Sequence, residues 1–206
     1  MNKEIVVQTW LWRGIEYFYL GFKLDRNWDY FQPFFDYMGI ELFGKAYILA
    51  ESSPEYEGLG NKEAKIKIDK IAKRYRHGLS RILKNINDFM GQNNINKILS
   101  QDFDGYTGKQ IVKILEAGYI ETRYPVPTSI SDEYPIEGTD MHWLPLYSSG
   151  LSKFAYSIGR EILSVLKAKF NVSIKKSEIE KLILVEEAGA RFCRLFFKDN
   201  IADYVI

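Results

Sequence analysis

The chain predicts an all-α fold, an up-and-down bundle of helices, and three observations carry that expectation. The apolar residues of 34–50 recur at helical spacing: Phe35, Met38, Gly39, Leu42, Phe43, Ala46, Leu49 and Ala50 fall at i, i+3, i+4, i+7, i+8, i+11, i+14 and i+15. The same period returns in most segments before and after it. No stretch alternates apolar and polar residues for long enough to make a strand. At 206 residues the chain fits one domain, 1–206, with a core over about 5–170 and an extra C-terminal helix over about 177–199.

The first helix is expected from about Glu4 to Leu24, with Val7, Trp10, Leu11, Gly14, Phe18, Gly21 and Phe22 in period. Its glycines each cost about 1 kcal/mol relative to alanine, a cost that close approach of a neighbouring helix would explain. Asn27 and Asp29 are start signals for the next helix, and Pro33 lies near its beginning, where proline does least harm. That second helix also carries Ile40, Tyr47 and Ile48 on its far side, so it reads as a central helix packed on more than one face. Glu41 and Lys45 sit on it at i, i+4 in the favourable order.

A linker with Pro54, Gly58 and Gly60 follows. Helical period resumes at Lys62 through Ile68, Ile71, Tyr75, Leu79, Ile82, Ile86 and Phe89, with Gly78 marking a break near His77 if the segment is two helices rather than one. A short piece spans 94–99. Asp102-Phe103-Asp104-Gly105 reads as a turn, and Thr107 with Gln110 as a capping box opening a helix that ends before Pro125. Residues 124–147 lack periodicity and hold Pro125, Pro127, Pro135 and Pro145, a long proline-rich loop. An amphipathic helix is expected over 151–170. The last, opened by Ser177 with Glu180 as a second capping box, runs through Ile179, Leu182, Ala190, Cys193 and Phe197, with Glu187 and Arg191 as a surface pair.

Composition excludes several classes of function. With 28 basic and 27 acidic residues the net charge of +1 gives no global attraction to nucleic acid or anionic membranes, so any such affinity is local. Cys193 is the single cysteine, which rules out an intrachain disulfide and fits a reducing, cytoplasmic setting. The N-terminal segment lacks the features of a signal peptide, and no apolar run approaches the ~20 residues that span a bilayer. Two histidines and one cysteine cannot assemble a zinc site within one chain without carboxylates, and no Asp or Glu stands at helical spacing from either histidine in a recognised metal pattern. Phosphate-loop and dinucleotide-binding glycine patterns are absent, so neither a metal nor a cofactor is expected.

One local patch stands out. Lys62, Lys65, Lys67, Lys70, Lys73, Arg74, Arg76, Arg81 and Lys84 face only Glu63 and Asp69 across the same interval. On one continuous helix, Lys70, Arg74, His77, Arg81 and Lys84 would form a stripe suited to phosphates. A solvated outer face has the same composition, and a break at Gly78 would divide the stripe. Arg123 ends its helix as a cation that favours the C-terminal dipole, and stands at the mouth of the long loop. His142-Trp143 within that loop is either an exposed aromatic contact or a plug over the core.

The order of these features resembles the HEPN superfamily: the helix Gly39–Ala50 with its ElxxKAxxxA-like pattern, then Tyr75-Arg76-His77-Gly78-Leu79, then Arg123-Tyr124-Pro125, then a long amphipathic helix. The resemblance covers roughly residues 10–170. It implies a bundle of four or five helices, often dimeric, associated with nucleotide or RNA binding and in many members with ribonuclease activity in defence and toxin–antitoxin systems. Nuclease members carry Arg, four to six residues, then His. Here the positions that would supply the arginine hold Lys70, Ile71 and Ala72 before His77, and Pro135, Ile136 and Glu137 before His142, so the nuclease motif is absent. The expectation is therefore a non-catalytic module binding a nucleotide or RNA phosphate through Arg76, His77, Arg81 and Arg123, with a homodimer implied by the resemblance. The alternative is a dimerisation or protein-partner scaffold without a ligand, for which the 15% aromatic content offers interface-forming side chains. A ribonuclease using unorthodox residues is a third reading.

Overall fold

The computed structural model describes residues 1–24, 32–90, 94–123, 148–198 and 200–206. Within them the chain forms an all-α bundle: α1 (Lys3–Leu24), α2 (Gln32–Glu51), α3 (Asn61–Ala72), α4 (Leu79–Met90), α5 (Asn94–Ser100), α6 (Gly108–Arg123), α7 (Ser148–Phe170), α8 (Lys176–Val185) and α9 (Glu187–Phe197). A two-residue ladder, β1 (Asp102–Phe103) against β2 (Tyr106–Thr107), precedes α6. No helix among the described residues is long and apolar enough to cross a membrane. The start signals Asn27 and Asp29 and the proline-rich loop, with His142 and Trp143, lie outside the described residues.

Helix α2 is the centre. It packs against α1, α3, α4, α6 and α7, and both of its sides are buried, Ile40, Tyr47 and Ile48 as well as Phe43, Ala46 and Leu49. The α1–α2 contact is the tightest because each helix opens a hole for the other's phenylalanine. A Cβ on Gly14 would lie 2.5 Å from the Phe43 ring, and a Cβ on Gly39 would collide with the Phe18 ring. The two rings then meet edge to face at 5.4 Å. Further along, a Cβ on Gly21 would press Phe35 at 3.2 Å. The glycines in these helices therefore trade intrinsic propensity for backbone approach and aromatic packing.

The loops obey local chemistry. Asp104 and Gly105 both adopt positive φ, 56° and 95°, as the tight hairpin between β1 and β2 requires. Thr107 and Gln110 form the expected capping box at the start of α6, with Thr107 N–H donating to Gln110 Oε1 at 2.9 Å. The segment after Lys62 is two helices. Residues 73–78 leave the helix, and Arg76 is left-handed at φ 49°.

The C-terminal helix predicted over 177–199 is instead two helices, and its Ser177–Glu180 capping box does not form. Helix α8 starts at Lys176 behind Lys175, with no side-chain cap. The interruption lies at Glu186, which is extended (φ −161°, ψ 156°) and whose carboxylate takes hydrogen bonds from Lys23 Nζ at 2.9 and 3.2 Å and from the Tyr19 hydroxyl, both on α1. Beyond it Gly189 lies so close to Leu182 that a Cβ would come within 3.0 Å of that residue's carbonyl carbon. Tertiary contacts with α1 thus outweigh the continuous helical pattern. No Glu187–Arg191 pair forms among the described ion pairs. Helix α9 joins the main core through Phe192, Phe196 and Phe197.

Two outcomes are expected. Gly39→Ala should lower unfolding free energy by about 1–3 kcal/mol in urea melts through overpacking, whereas Gly60→Ala, where a Cβ meets nothing within 4 Å, should cost only the N-cap preference of glycine over alanine, about 1 kcal/mol or less. Cys193 is buried, and burial pushes its thiol up to about 11. It should therefore resist a disulfide reagent at pH 8 in the native protein and react promptly once the chain is denatured.

Candidate functional site

The candidate site is built on the connection between α3 and α4. Two elements anchor it. From α2, the Tyr37 hydroxyl donates to the His77 carbonyl, and one turn further the Glu41 carboxylate accepts from His77 Nδ1 at 3.0 Å. From α6, Tyr119 lies against the His77 ring at 5.2 Å and against Tyr37 at 4.3 Å, nearly parallel to the latter. Burial, with the Glu41 carboxylate next in weight, holds the Tyr37 phenol well above its ordinary pKa, so it remains a donor. Helix α4 is tied to α6 as well: Glu116 accepts from the Ser80 backbone N–H at 2.8 Å and from its hydroxyl at 3.0 Å, which places a carboxylate at the positive end of the helix.

Glu41 is 1% exposed, and its partner Lys45 is 8% exposed. The sequence presents them as an ordinary i, i+4 pair. In the fold, Glu41 Oε1 receives both the Lys45 ammonium and His77 Nδ1. A buried carboxylate needs such partners, because desolvation costs several kcal/mol per ion. The consequence falls on His77. With Nδ1–H committed to a carboxylate, the neutral ring carries its lone pair on Nε2. The side chain is 55% exposed, and no other polar partner of the ring occurs among the described residues. It can accept a hydrogen bond at Nε2 or, protonated, donate one.

The cations predicted around it separate into two groups. Arg74 is occupied: its guanidinium grips Glu55 at 2.6 and 2.7 Å and reaches Ser52 at 3.4 Å. With the turn at 73–78, this removes the continuous stripe of Lys70, Arg74, His77, Arg81 and Lys84. Arg76 and Arg81 are exposed and make no ion pair among the described residues, and the Arg81 stem folds toward the turn, 3.3 Å from where a Gly78 Cβ would stand. Arg123 ends α6 one helical turn beyond Tyr119; its side chain lies outside the described residues.

The structure adds residues that sequence reasoning missed. A groove of about 280 Å³ between α4, α5 and α6 is lined by Ser80, Lys84, Asn96, Lys109 and Lys113, among others. None of the three lysines has an ion-pair partner among the described residues. Lys109 and Lys113 are spaced i, i+4 on α6, a signal visible in the sequence but far in the chain from the basic run they join.

No family model matches this chain, and neither a curated protein nor a solved structure matches it significantly.

The buried pair can be tested by substitution. Lys45→Met should destabilise the protein by about 3–5 kcal/mol by leaving Glu41 buried without its ammonium. The double change Glu41→Leu with Lys45→Leu should recover most of that loss in urea melts. A double variant as unstable as the single one would contradict the assignment.

Proposed function

We propose that the protein is a non-catalytic, HEPN-like module that binds the phosphates of a single-stranded RNA or a nucleotide at the α3–α4 connection. One observation carries the reading: the turn held by Tyr37, Glu41 and Tyr119 and the start of α4 carry two exposed arginines, Arg76 and Arg81, with no ion pair among the described residues, beside an imidazole whose Nε2 has no described partner. Guanidinium groups bind phosphate oxygens in a bidentate fork, and an imidazolium adds a further charge-assisted donor. The lysine groove lies beside Ser80 at the start of α4 and extends the cationic surface through Lys84, Lys109 and Lys113. That breadth favours a chain of phosphates over a single mononucleotide. Catalysis is left out of the reading because no arginine stands at the spacing from His77 that the resembling nucleases use. A role in defence or a toxin–antitoxin pair follows only from the resemblance.

The rival reading is a dimer or partner-binding scaffold. Its support is two apolar side chains left exposed on the last helices, Leu184 at 83% and Leu195 at 56%.

Fluorescence anisotropy with a labelled single-stranded RNA, with the oligomeric mass recorded alongside, separates the two. Contacts to about three to five phosphates should give a log–log salt slope of roughly −2 to −3.5. Arg76→Glu with Arg81→Glu should weaken binding by more than about tenfold. RNA affinity unchanged by that double reversal would remove the site, and a salt-independent dimer with no affinity for RNA or nucleotide would favour the scaffold.

A further inference from the structure

A second cleft lies elsewhere, at about 670 Å³, where α7 and α9 meet the end of α1, the start of α2 and the small ladder. Its α7 wall follows one helical face through Ser152, Lys153, Tyr156, Ser157 and Arg160; α9 contributes Arg194, and Lys198 follows at its C-terminal end. Phe22 and Phe103 supply further aromatic surface. No carboxylate occurs among the described lining residues.

Arg160 is the unusual member. It is 8% exposed, yet it has no carboxylate partner among the described residues. Its Nη1 donates to the Phe196 carbonyl at 2.5 Å and its Nη2 to Ser157 Oγ at 3.0 Å, which leaves three of its five N–H groups without a described acceptor. The Phe196 carbonyl belongs to the last turn of α9, whose dipole offers roughly half an elementary negative charge. A buried guanidinium bears a full one. Burial lowers the pKa of Arg160, the direction expected for a cation lacking a counter-ion. The other cations of the wall differ among themselves. Lys153 is matched by Asp104 at 2.9 and 3.0 Å, but Arg194 and Lys198 have no ion pair among the described residues. The cleft is thus a concave, partly aromatic surface with one buried and two exposed positive charges that have no carboxylate partner among the described residues.

We infer that this cleft binds a small organic anion, its carboxylate or phosphate on Arg160 with Arg194 and Lys198 at the rim, and its aromatic ring against Phe22, Phe103 and Tyr156. The volume is within the range of pockets that enclose small molecules. Both halves of the ligand are required by the lining: an inorganic ion leaves the aromatic wall bare, and a neutral arene leaves Arg160 uncompensated. The site stands apart from the α3–α4 connection and shares none of its residues.

Calorimetric titration with phenyl phosphate, benzoate, inorganic phosphate and benzyl alcohol tests it. At least one of the two aromatic anions should bind, and the stronger of them identifies the headgroup as phosphate or carboxylate. Inorganic phosphate and benzyl alcohol should each bind at least about tenfold more weakly. Arg160→Met should reduce the affinity by a similar factor. Because that buried change can also harm folding, Arg194→Ala with Lys198→Ala is the companion variant: it should weaken binding several-fold without shifting the melting temperature. The Arg76→Glu, Arg81→Glu protein should bind the aromatic anion as the parent does, which separates this site from the RNA reading. Absence of binding by both aromatic anions, or binding indifferent to both cleft variants, would overturn the inference.

Discussion

Much of this fold follows from one constraint: α2 is buried on all sides and still carries charge. Asp36, Glu41 and Lys45 all lie within its buried stretch. A buried ion without a partner destabilises a fold by several kcal/mol, so every helix that covers α2 must either avoid these groups or bring a partner to them. The partners come from separate elements. Ser152 on α7 donates to Asp36 at 3.1 Å and itself receives Gln32 Nε2, while the α3–α4 connection brings His77 to Glu41. Lys45 is supplied by α2 itself, one turn below Glu41. The polar contacts therefore fix how the surrounding helices dock, where apolar contact alone would permit sliding.

The same constraint accounts for the shape of the candidate site. A continuous helix through 61–90 would carry its cations in a stripe around the outside. The chain instead leaves the helix at residues 73–78, with Arg76 in a left-handed conformation that non-glycine residues enter uncommonly. The cost is offset by what the turn gains: a hydroxyl on the His77 carbonyl, a carboxylate on its ring, and the face of Tyr119 against it. The result is a short, pinned segment rather than a regular helix, and its arginines start from a more restricted backbone than a flexible loop would give them. Preorganisation of that kind lowers the entropy lost on binding a phosphate.

The legible parts of the fold were those decided within one element. The 3.6-residue period located the helices, the apolar far side of α2 marked it as central, the Thr107–Gln110 box marked the start of α6, and Gly14 and Gly21 marked the close approach of α1. What was illegible depended on two elements at once. Glu41 and Lys45 obey the same i, i+4 rule whether they face water or core, and only the apolar residues on both sides of the helix hinted at burial. Ser177 and Glu180 have the spacing of a capping box, but the chain starts α8 at Lys176 and breaks it at Glu186, where Tyr19 and Lys23 draw the backbone out of the helix. Arg74 reads as part of a basic stripe until the fold brings Glu55 to it. The Arg160 cleft gathers residues from five elements, and nothing near Arg160 in the sequence announces that its neighbours will lack a carboxylate.

A net charge of +1 conceals this arrangement. With 27 acids for 28 bases, random mixing would leave most cations near an anion. Many of the acids are instead engaged in specific pairs: Glu55 with Arg74, Asp104 with Lys153, Glu51 with Lys169, Glu186 with Lys23 and Glu41 with Lys45. Each such pair neutralises one cation at one place and leaves others uncompensated where no acid has been provided. Among the described residues, cations without an ion pair include Arg76 and Arg81 at the α3–α4 connection, Lys84, Lys109 and Lys113 in the groove beside it, and Arg160, Arg194 and Lys198 in the second cleft. At ordinary ionic strength charges are screened beyond about 8–10 Å, so a phosphate or carboxylate at either place responds to the local cations and not to the sum over the chain. A nearly neutral protein can therefore carry two separate groups of cations, and the two share no residue.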